Sequence, residues 1–160
     1  MDDPVASVRR ALERNRYMVL GTTEPDGTAR LSPVFFTHTD ARTFYWVSSP
    51  DAQHSRNLTA RPKVSLVIFD GDKPPVEDKD AVYISATAEQ VPDEELEATC
   101  PTAFTDSERR GARAFTPHEL TGDADLRLYR ATAQTHEIHL RGKDPANKKN
   151  VDTRLRVDLP

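Results

Sequence analysis

The spacing of hydrophobic positions changes along this chain, and each spacing predicts a different kind of element. Near the start, Val5, Val8 and Leu12 recur at helical intervals behind the pair Asp3-Pro4. Aspartate is a good helix cap and proline suits the first helical position. The pattern therefore predicts an amphipathic first helix that ends near the sixteenth residue.

Shorter runs rich in β-branched and aromatic residues follow, and their alternation predicts strands. Turn-forming residues such as Pro25 and Gly27 join the early runs by short connections, which favours antiparallel pairing. The predicted strands cover residues 17–23, 28–37, 43–48, 63–69, 81–91, 126–133 and 137–140. Six or seven mostly antiparallel strands normally close into a barrel, because closure removes exposed edges.

Helical composition appears in two places between the predicted strands. A short polar helix follows Pro50 and ends near Arg61. Residues 92–114 form a second helical region, in which we expect Pro101 to break the helix and residues 106–115 to resume it.

The end of the chain is polar from about residue 141. Residues 154–159 either pair as a last short strand or remain loose. We therefore predict a single domain over residues 1–160 with a polar C-terminal tail. Its fold class is mainly β with small helices.

The composition excludes several classes of function but does not by itself indicate one. The net charge is −4, which argues against a general nucleic-acid or anionic-membrane surface. Cys100 is the only cysteine, so an intramolecular disulfide and a cysteine-based zinc cluster are excluded. No run is long enough for a membrane helix and the start lacks signal-peptide features, so we expect a soluble cytoplasmic protein.

The junction between the third predicted strand and the polar helix is the most informative segment. An aromatic run stops at Ser48-Ser49-Pro50, and hydrogen-bond donors follow in the next turn. A helix N-terminus offers free backbone N–H groups and the positive end of a dipole, which suits an anion such as phosphate. The alternative interpretation is a surface helix whose polar face is rich in donors, and the spacing leaves both open.

The second predicted strand carries two unusual residues. Pro33 cannot donate a ladder hydrogen bond, so it marks an edge strand or a bulge where backbone groups are free to meet a ligand. Arg30 lies beside the first hairpin turn. It is either a solvated surface arginine or, if it lies near the junction, a second phosphate contact.

Motifs for other chemistry are missing from the sequence. There is no Gly-x-Ser-x-Gly, no P-loop and no Gly-x-Gly-x-x-Gly. His136 and His139 are three residues apart in a predicted strand, which places them on opposite faces. We expect exposed histidines here and no metal site.

Several short motifs occur in an order that resembles a known family. They are Leu-Gly-Thr-Thr, Asp-Gly, Arg-x-Ser-Pro-Val, Phe-Tyr-Trp-Val-Ser-Ser, His-Ser-Arg-Asn-Leu and Arg-Pro-x-Val-Ser-Leu. The series resembles the pyridoxamine 5'-phosphate oxidase-like, flavin-binding split-barrel proteins, well over residues 5–91 and loosely beyond. The resemblance implies a six-stranded antiparallel split β-barrel and a homodimer with flavin mononucleotide (FMN) at the subunit interface.

The resemblance also implies a set of cofactor-binding positions. One strand lies along the flavin, the end of another meets the ribityl-phosphate, and the following helix holds the phosphate. In that order the matching residues are Arg30, Leu31, Ser32 and Pro33; Val47 and Ser48; and Gln53 and His54, with Ser55, Arg56 and Asn57 as extra contacts on the same turn.

This chain departs from the family pattern in ways that affect function. Gln53 and His54 stand where the oxidase has an Arg-Lys pair, so the site has less charge and depends more on pH. The oxidase's C-terminal signature, a tryptophan followed by Arg-x-His, is absent, and Trp46 is the only tryptophan. The chain therefore looks like a divergent relative and not like the oxidase itself.

Three functional hypotheses follow from the resemblance. The first is an FMN-dependent oxidoreductase that acts on an unknown small molecule. The second is a deazaflavin-dependent reductase on the same barrel, for which Arg56, Arg61 and Lys63 would supply a longer basic groove. The third is a non-enzymatic flavin- or haem-binding protein, which would use a histidine near an apolar pocket. We expect no catalytic residue to be identifiable from the sequence.

Overall fold

The computed structural model describes residues 3–160 of the chain. The helices among these residues are α1 (Pro4–Arg14), α2 (Gln53–Ala60) and α3 (Leu96–Ala103). The strands are β1 (Tyr17–Thr23), β2 (Ala29–Phe35), β3 (Thr37–Thr39), β4 (Thr43–Ser48), β5 (Lys63–Phe69), β6 (Ala81–Gln90), β7 (Arg127–Leu140) and β8 (Thr153–Val157). Two short 3₁₀ turns cover Asp93–Glu95 and Pro117–Leu120.

All eight strands form one antiparallel sheet that curls into a split barrel. The order is β2-β1-β5-β6-β7-β4-β3, and β8 pairs with β7 outside this path. Only Phe36 separates β2 from β3, so the two behave as one bent strand that connects both ends of the sheet. Counted in this way, six strands build the barrel and β8 adds a seventh. The predicted fold class is confirmed.

The first helix follows the capping pattern that its sequence predicts. The Asp3 side chain accepts a hydrogen bond from the Val5 amide at 3.1 Å, and Pro4 occupies the first turn. Val8, Ala11 and Leu12 are buried against the sheet. The helix ends at Arg14, two residues earlier than expected, because Asn15 adopts an extended backbone conformation.

Strand β4 separates two hydrophobic clusters, since successive side chains point to opposite faces. Phe44 and Trp46 belong to the main core inside the barrel. Tyr45 belongs to a second cluster outside it, with Leu96 and Leu128. Alternation along β4 therefore sends Ser48 to the inner face and Val47 to the outer face.

The region before β7 differs from the sequence-based expectation. Pro101 lies inside α3 and does not end it. Residues 106–111 form turns and residues 112–115 have no regular structure, so the expected helix is absent there; Gly111 has φ +83°. The segment is held from within the fold: the buried Arg110 guanidinium donates to the Leu12, Asn15 and Phe36 carbonyls. Local backbone hydrogen bonds such as that from the Arg110 amide to the Asp106 carbonyl at 3.0 Å form single turns, and the tertiary bonds of the Arg110 side chain hold these turns in place.

The end of the chain is more ordered than a loose tail. The two predicted late strands are one continuous strand, β7, which crosses a bulge opposite Ser85 and Ala86 of β6. Strand β8 pairs with β7 from Thr153 to Val157, so the pairing alternative holds. Among residues 3–160, every helix is too short or too polar to cross a membrane.

Candidate functional site

Strand β4 and helix α2 meet at the junction that the sequence indicates. The strand ends at Ser48, and α2 begins at Gln53 after a turn through Pro50. The Ser48 Oγ and His54 Nε2 atoms are 2.9 Å apart, within hydrogen-bond distance. His54 is therefore fixed against the end of β4 by the first turn of α2.

The register of β1 and β2 brings Arg30 to the same place. Arg30 lies opposite Thr22, and directly opposed residues share one face of the sheet. The Thr22 hydroxyl in turn accepts a hydrogen bond from Asn57 Nδ2 at 3.1 Å, so this face meets α2. Burial lowers the pKa of His54, and the positive charge of Arg30 lowers it further. Both effects favour the neutral form of the imidazole.

Helix α2 begins without a side-chain cap. Its N-cap residue is Ala52, which makes no side-chain capping hydrogen bond. The Ser49 Oγ atom accepts from the Asp51 amide at 3.1 Å and so serves the preceding turn. The first amides of α2 therefore retain their capacity to donate to an anion.

A chain of side-chain hydrogen bonds runs along α2. Arg56 Nη2 donates to Gln53 Oε1 at 2.9 Å, and Gln53 Nε2 donates to Asn57 Oδ1 at 2.9 Å. Arg61 Nε donates to the Thr23 carbonyl at 2.8 Å and ties the end of α2 to β1. The network fixes Gln53 and leaves Arg56 exposed at the surface.

The structure brings together five of the predicted cofactor positions. Four of them surround the first turn of α2, and the fifth approaches from β2. We call this set the junction cluster: Arg30, Ser48, Gln53, His54 and Arg56. It combines two arginines, a neutral imidazole, a hydroxyl, an amide and free helix amides, which together suit a phosphate-sized anion.

Other predicted positions point elsewhere. Leu31 is 70% exposed and lies with Pro33 on the outer face of β2, while Val47 packs toward the outer cluster. Ser55 and Asn57 are buried beneath α2. Asn57 acts as a positioning residue, because its amide bonds both Thr22 and Gln53. Ser32 is partly buried on the inner face beside Arg30.

Strand β2 is an edge of the sheet, as the proline within it predicts. Its only ladder partner among the described strands is β1, in which Val19 lies opposite Pro33. The other side of β2 has backbone groups that no strand uses. A flat ligand at the split of the barrel could meet this edge beside the junction cluster.

One residue at the site was not anticipated from the sequence. Glu24 forms an ion pair with Arg30 at the start of the first hairpin turn. The pair partly neutralises the cation that the junction cluster draws from β2. The hairpin register would have indicated it, since residue 24 directly follows β1 and Arg30 lies near the start of β2.

His136 and His139 do not meet the expectation of exposure. His136 is buried, and its Nε2 donates to the Ala41 carbonyl at 2.7 Å. His139 lies on the opposite face, as predicted, and its Nε2 is 3.3 Å from Asp152 Oδ2. Both rings therefore have partners within the fold. Within residues 3–160, no group of three or more His, Cys, Asp or Glu side chains could hold a metal ion.

The comparisons with known proteins agree with this architecture. An F420 reductase superposes with a TM-score of 0.57 at 21% identity, over 80% of this chain and 94% of its own. A heme-binding protein from Mycobacterium smegmatis gives 0.65 at 15%, over 98% and 59%, respectively. A FAD-binding protein from Mesorhizobium loti gives 0.61 at 18%, over 82% and 90%. At these identities the likeness concerns the fold.

The sequence matches a family model but no individual curated protein. No curated protein matches the chain at a significant level. The model of the family described as pyridoxamine 5'-phosphate oxidase matches residues 5–139, which is most of the chain. The chain therefore belongs to the pyridoxamine 5'-phosphate oxidase family.

Proposed function

We propose that this protein binds FMN with the phosphate at the junction cluster and acts as a flavin-dependent oxidoreductase on a small molecule. The observation that carries the proposal is the uncapped start of α2, which carries His54 and lies on the same side of the sheet as Arg30. Helix amides, a guanidinium and a hydroxyl at one point form an anion site, and they adjoin the free edge of β2. Family membership supports a flavin in that position.

The protein's part in such a reaction is to bind and orient the cofactor. A bound flavin would supply the redox chemistry, by accepting and returning a hydride or electrons. The α2 amides and Arg30 would hold the phosphate, and Ser48 would fix the His54 ring beside it. The β2 edge would then position the flavin ring through its backbone groups.

The donor set fits a phosphate, but with less charge than an Arg-Lys pair would provide. Burial and the charge of Arg30 lower the pKa of His54 and so favour its neutral form, and Arg30 shares its charge with Glu24. Helix amides therefore contribute a larger share of the binding than they would beside a lysine. We expect moderate affinity for FMN that depends strongly on Arg30.

We also propose that the protein is a homodimer with the cofactor near the subunit interface. The outer face of β2, β1 and β5 carries a continuous apolar surface. Its side chains alternate with buried ones and are exposed or partly exposed: Tyr17, Val19, Leu31, Pro33, Val67 and Phe69. An apolar patch of this kind suits a second copy of the chain, and it adjoins the free β2 edge.

Two measurements test these proposals. The first is the absorbance spectrum of the purified protein, followed by titration of the colourless form with FMN. Bound FMN supports the proposal. A deazaflavin spectrum would favour the deazaflavin-dependent reductase, and a haem spectrum would favour a non-enzymatic haem protein. A protein with no affinity for any of them would overturn the cofactor assignment.

A variant pair locates the site within that titration. Replacing Arg30 and His54 by alanine should weaken FMN binding about tenfold or more, since a charge-assisted hydrogen bond is lost. The matched control replaces Arg156 and His118, an exposed arginine and an exposed histidine away from the junction cluster. Equal affinity in both double variants would show that the junction is only a polar helix surface.

The dimer is tested by light scattering of the eluting protein. Phe69→Asp places a charge on the outer apolar face and should give monomers. Val76→Asp is the control, because Val76 is an exposed apolar residue in the 70–80 loop. A wild-type monomer at micromolar concentration would contradict the proposal.

A further inference from the structure

A cavity of about 500 Å³ is lined by α1, by the 70–80 loop and by the end of β7 with the loop that follows it. Its volume lies within the range of small-molecule sites. All three parts of the chain contribute cationic side chains. We call it the basic cavity and define it by these five residues: Arg10, Arg14, Lys73, Lys79 and Arg141. It shares no residue with the junction cluster or with the apolar outer face.

Two buried carboxylates fix the inner part of the basic cavity. Asp80 accepts from Arg10 Nε at 3.0 Å and from Arg10 Nη2 at 3.1 Å. Asp70 accepts from Asn15 Nδ2 and from the Asp80 amide, each at 3.1 Å. The Asp70 and Asp80 side chains are only 3% and 12% exposed. Their oxygens are therefore engaged within the fold, where they hold the neighbouring cations in place.

The cations are more exposed than the carboxylates that hold them. Arg14 is 50% exposed, and its Nη1 atom lies 3.6 Å from Asp70 Oδ2 and 3.7 Å from Asp80 Oδ2. These distances suit ion pairs but are too long for hydrogen bonds, so the guanidinium can still donate to a ligand. Lys79 is exposed and forms no ion pair with any of residues 3–160. An anion that enters from solvent therefore meets cations before it meets carboxylates.

The other two carboxylates of the cavity oppose an anion only weakly. Arg141 Nη1 is 3.1 Å from Asp78 Oδ1, but the Asp78 side chain is fully exposed, and an exposed pair contributes little. The Asp144 carboxylate accepts from the Ala146 amide at 2.8 Å and so serves its own turn. A ligand anion can therefore replace Asp78 on Arg141.

The charges of the cavity favour a ligand with more than one anionic group. Its five cations carry five positive charges, and the two buried carboxylates offset two of them, which leaves three. The cations come from three separate parts of the chain, so two linked phosphates can contact more of them than a single phosphate can. Arginine also binds phosphate oxygens through two parallel hydrogen bonds.

We propose that the basic cavity binds a diphosphate group, either as free pyrophosphate or as part of a nucleotide. Arg14 and Arg141 donate to its oxygens, and Lys79 adds a positive charge at the rim. The binding does not depend on a flavin, so it can be measured in protein with and without added FMN.

The test is a calorimetric titration with pyrophosphate at pH 7.5 in metal-free buffer. We expect one pyrophosphate per chain, bound about tenfold more tightly than orthophosphate. Added salt should weaken the binding, because the cations are partly exposed. ADP carries the same diphosphate and distinguishes the two sources. Equal affinities would indicate that the diphosphate alone is recognised, and tighter binding of ADP would indicate a nucleotide.

Variants test the location. Replacing Arg14 and Arg141 together by glutamine should weaken pyrophosphate binding about tenfold or more. The matched control replaces Arg154 and Arg156 by glutamine, which removes two exposed arginines outside the cavity and should change the affinity about twofold or less. Lys79→Gln breaks no ion pair within residues 3–160, so it should weaken binding about two- to threefold and leave the urea midpoint unchanged.

Four outcomes would overturn the proposal. They are no binding of pyrophosphate; equal affinities for pyrophosphate and orthophosphate; equal losses in the two double arginine variants; and loss of binding when Arg30 and His54 are replaced by alanine. The last would place the anion at the junction cluster, whereas the proposal expects that variant to bind pyrophosphate as the wild type does.

Discussion

The two ends of strand β4 differ in whether the polar groups beside them have hydrogen-bond partners within the fold. At its start, the Ala41 amide donates to His38 Nδ1 at 3.2 Å, and the Ala41 carbonyl accepts from His136 at 2.7 Å. At its other end, the first amides of α2 have no side-chain cap. The first end is closed by its own side chains, while the second is open to a ligand.

This difference distinguishes a structural histidine from a candidate binding histidine. Burial lowers the pKa of His38, His54 and His136 alike, so the pKa alone does not separate them. Their partners do. His136 bonds a backbone carbonyl inside the fold, whereas His54 bonds the Ser48 hydroxyl beside unused amides and Arg30. Unused donors, more than a shifted pKa, indicate the site.

The closed end should give the largest effect on stability. His136→Ala leaves the Ala41 carbonyl buried without its donor and creates a cavity, which together cost about 2–4 kcal/mol. Urea denaturation measures the loss. His118→Ala is the control, because His118 is exposed and its removal should change stability by about 0.5 kcal/mol or less. Similar losses in both variants would contradict a structural role for His136.

Lowering the pH should give the next largest loss of stability, through the two histidines at the closed end. The pKa values of His38 and His136 are lowered by burial, so the unfolded chain takes up protons that the folded chain excludes. The stability that they contribute is complete above the ordinary histidine value of 6.5 and is lost as pH falls below it. Urea midpoints should therefore decrease from pH 7.5 to 5.5.

One variant isolates the contribution of His136 to this pH dependence. His136→Gln keeps a donor for the Ala41 carbonyl but does not titrate, so its stability should depend less on pH than that of the wild type. A wild-type midpoint that stays constant over the same range would refute the assignment.

Backbone strain at the closed end gives a smaller effect of opposite sign. Asp40 and Ala41 both have positive φ, at 50° and 55°, in the turn before β4. Ala41→Gly should stabilise the protein by about 0.5–1 kcal/mol, because glycine adopts this conformation without strain. Ala11→Gly, within α1, should destabilise it by about 1 kcal/mol or more. Thermal denaturation of the two variants should therefore shift in opposite directions.

Removing a charge near the open end should give the smallest effect, which is a change in FMN affinity. Glu24→Gln releases Arg30 from its ion pair and should strengthen FMN binding about two- to fivefold, which is the modest effect expected of an exposed pair. Glu108→Gln changes the net charge equally, and no ion pair is formed by Glu108 within residues 3–160. If both variants strengthen binding equally, the gain comes from overall charge and not from Arg30.

Local signals in the sequence were sufficient wherever neighbouring residues decide the structure. The boundaries of β1, β4 and β5 agree with the predicted strands, because period-two patterns end there at turn residues. The Asp3 cap and the turn before Gly27, which has φ +88°, were equally local. Pro33 predicted either an edge strand or a bulge, since a missing amide donor is a property of the residue itself, and β2 is an edge strand.

The prediction over residues 106–115 was wrong for the opposite reason. Composition favoured a helix, yet Arg110 reaches the carbonyls of three residues far along the chain, and turns result. No local pattern contains those partners. The burial of His136 was missed for the same reason, because its acceptor, Ala41, lies 95 residues away.

By itself, the sequence determined the β-rich order of elements, the edge position of β2 and the polar start of α2, since capping, turn and periodicity preferences act over a few residues. Only the tertiary structure decided which polar side chains lie close to one another. It turned Ser55 and Asn57 inward, paired Arg30 with Glu24 and brought Arg30 beside His54. The packing of the whole barrel determines which face of each strand is buried and how neighbouring strands are aligned. These two features determine which side chains lie close together.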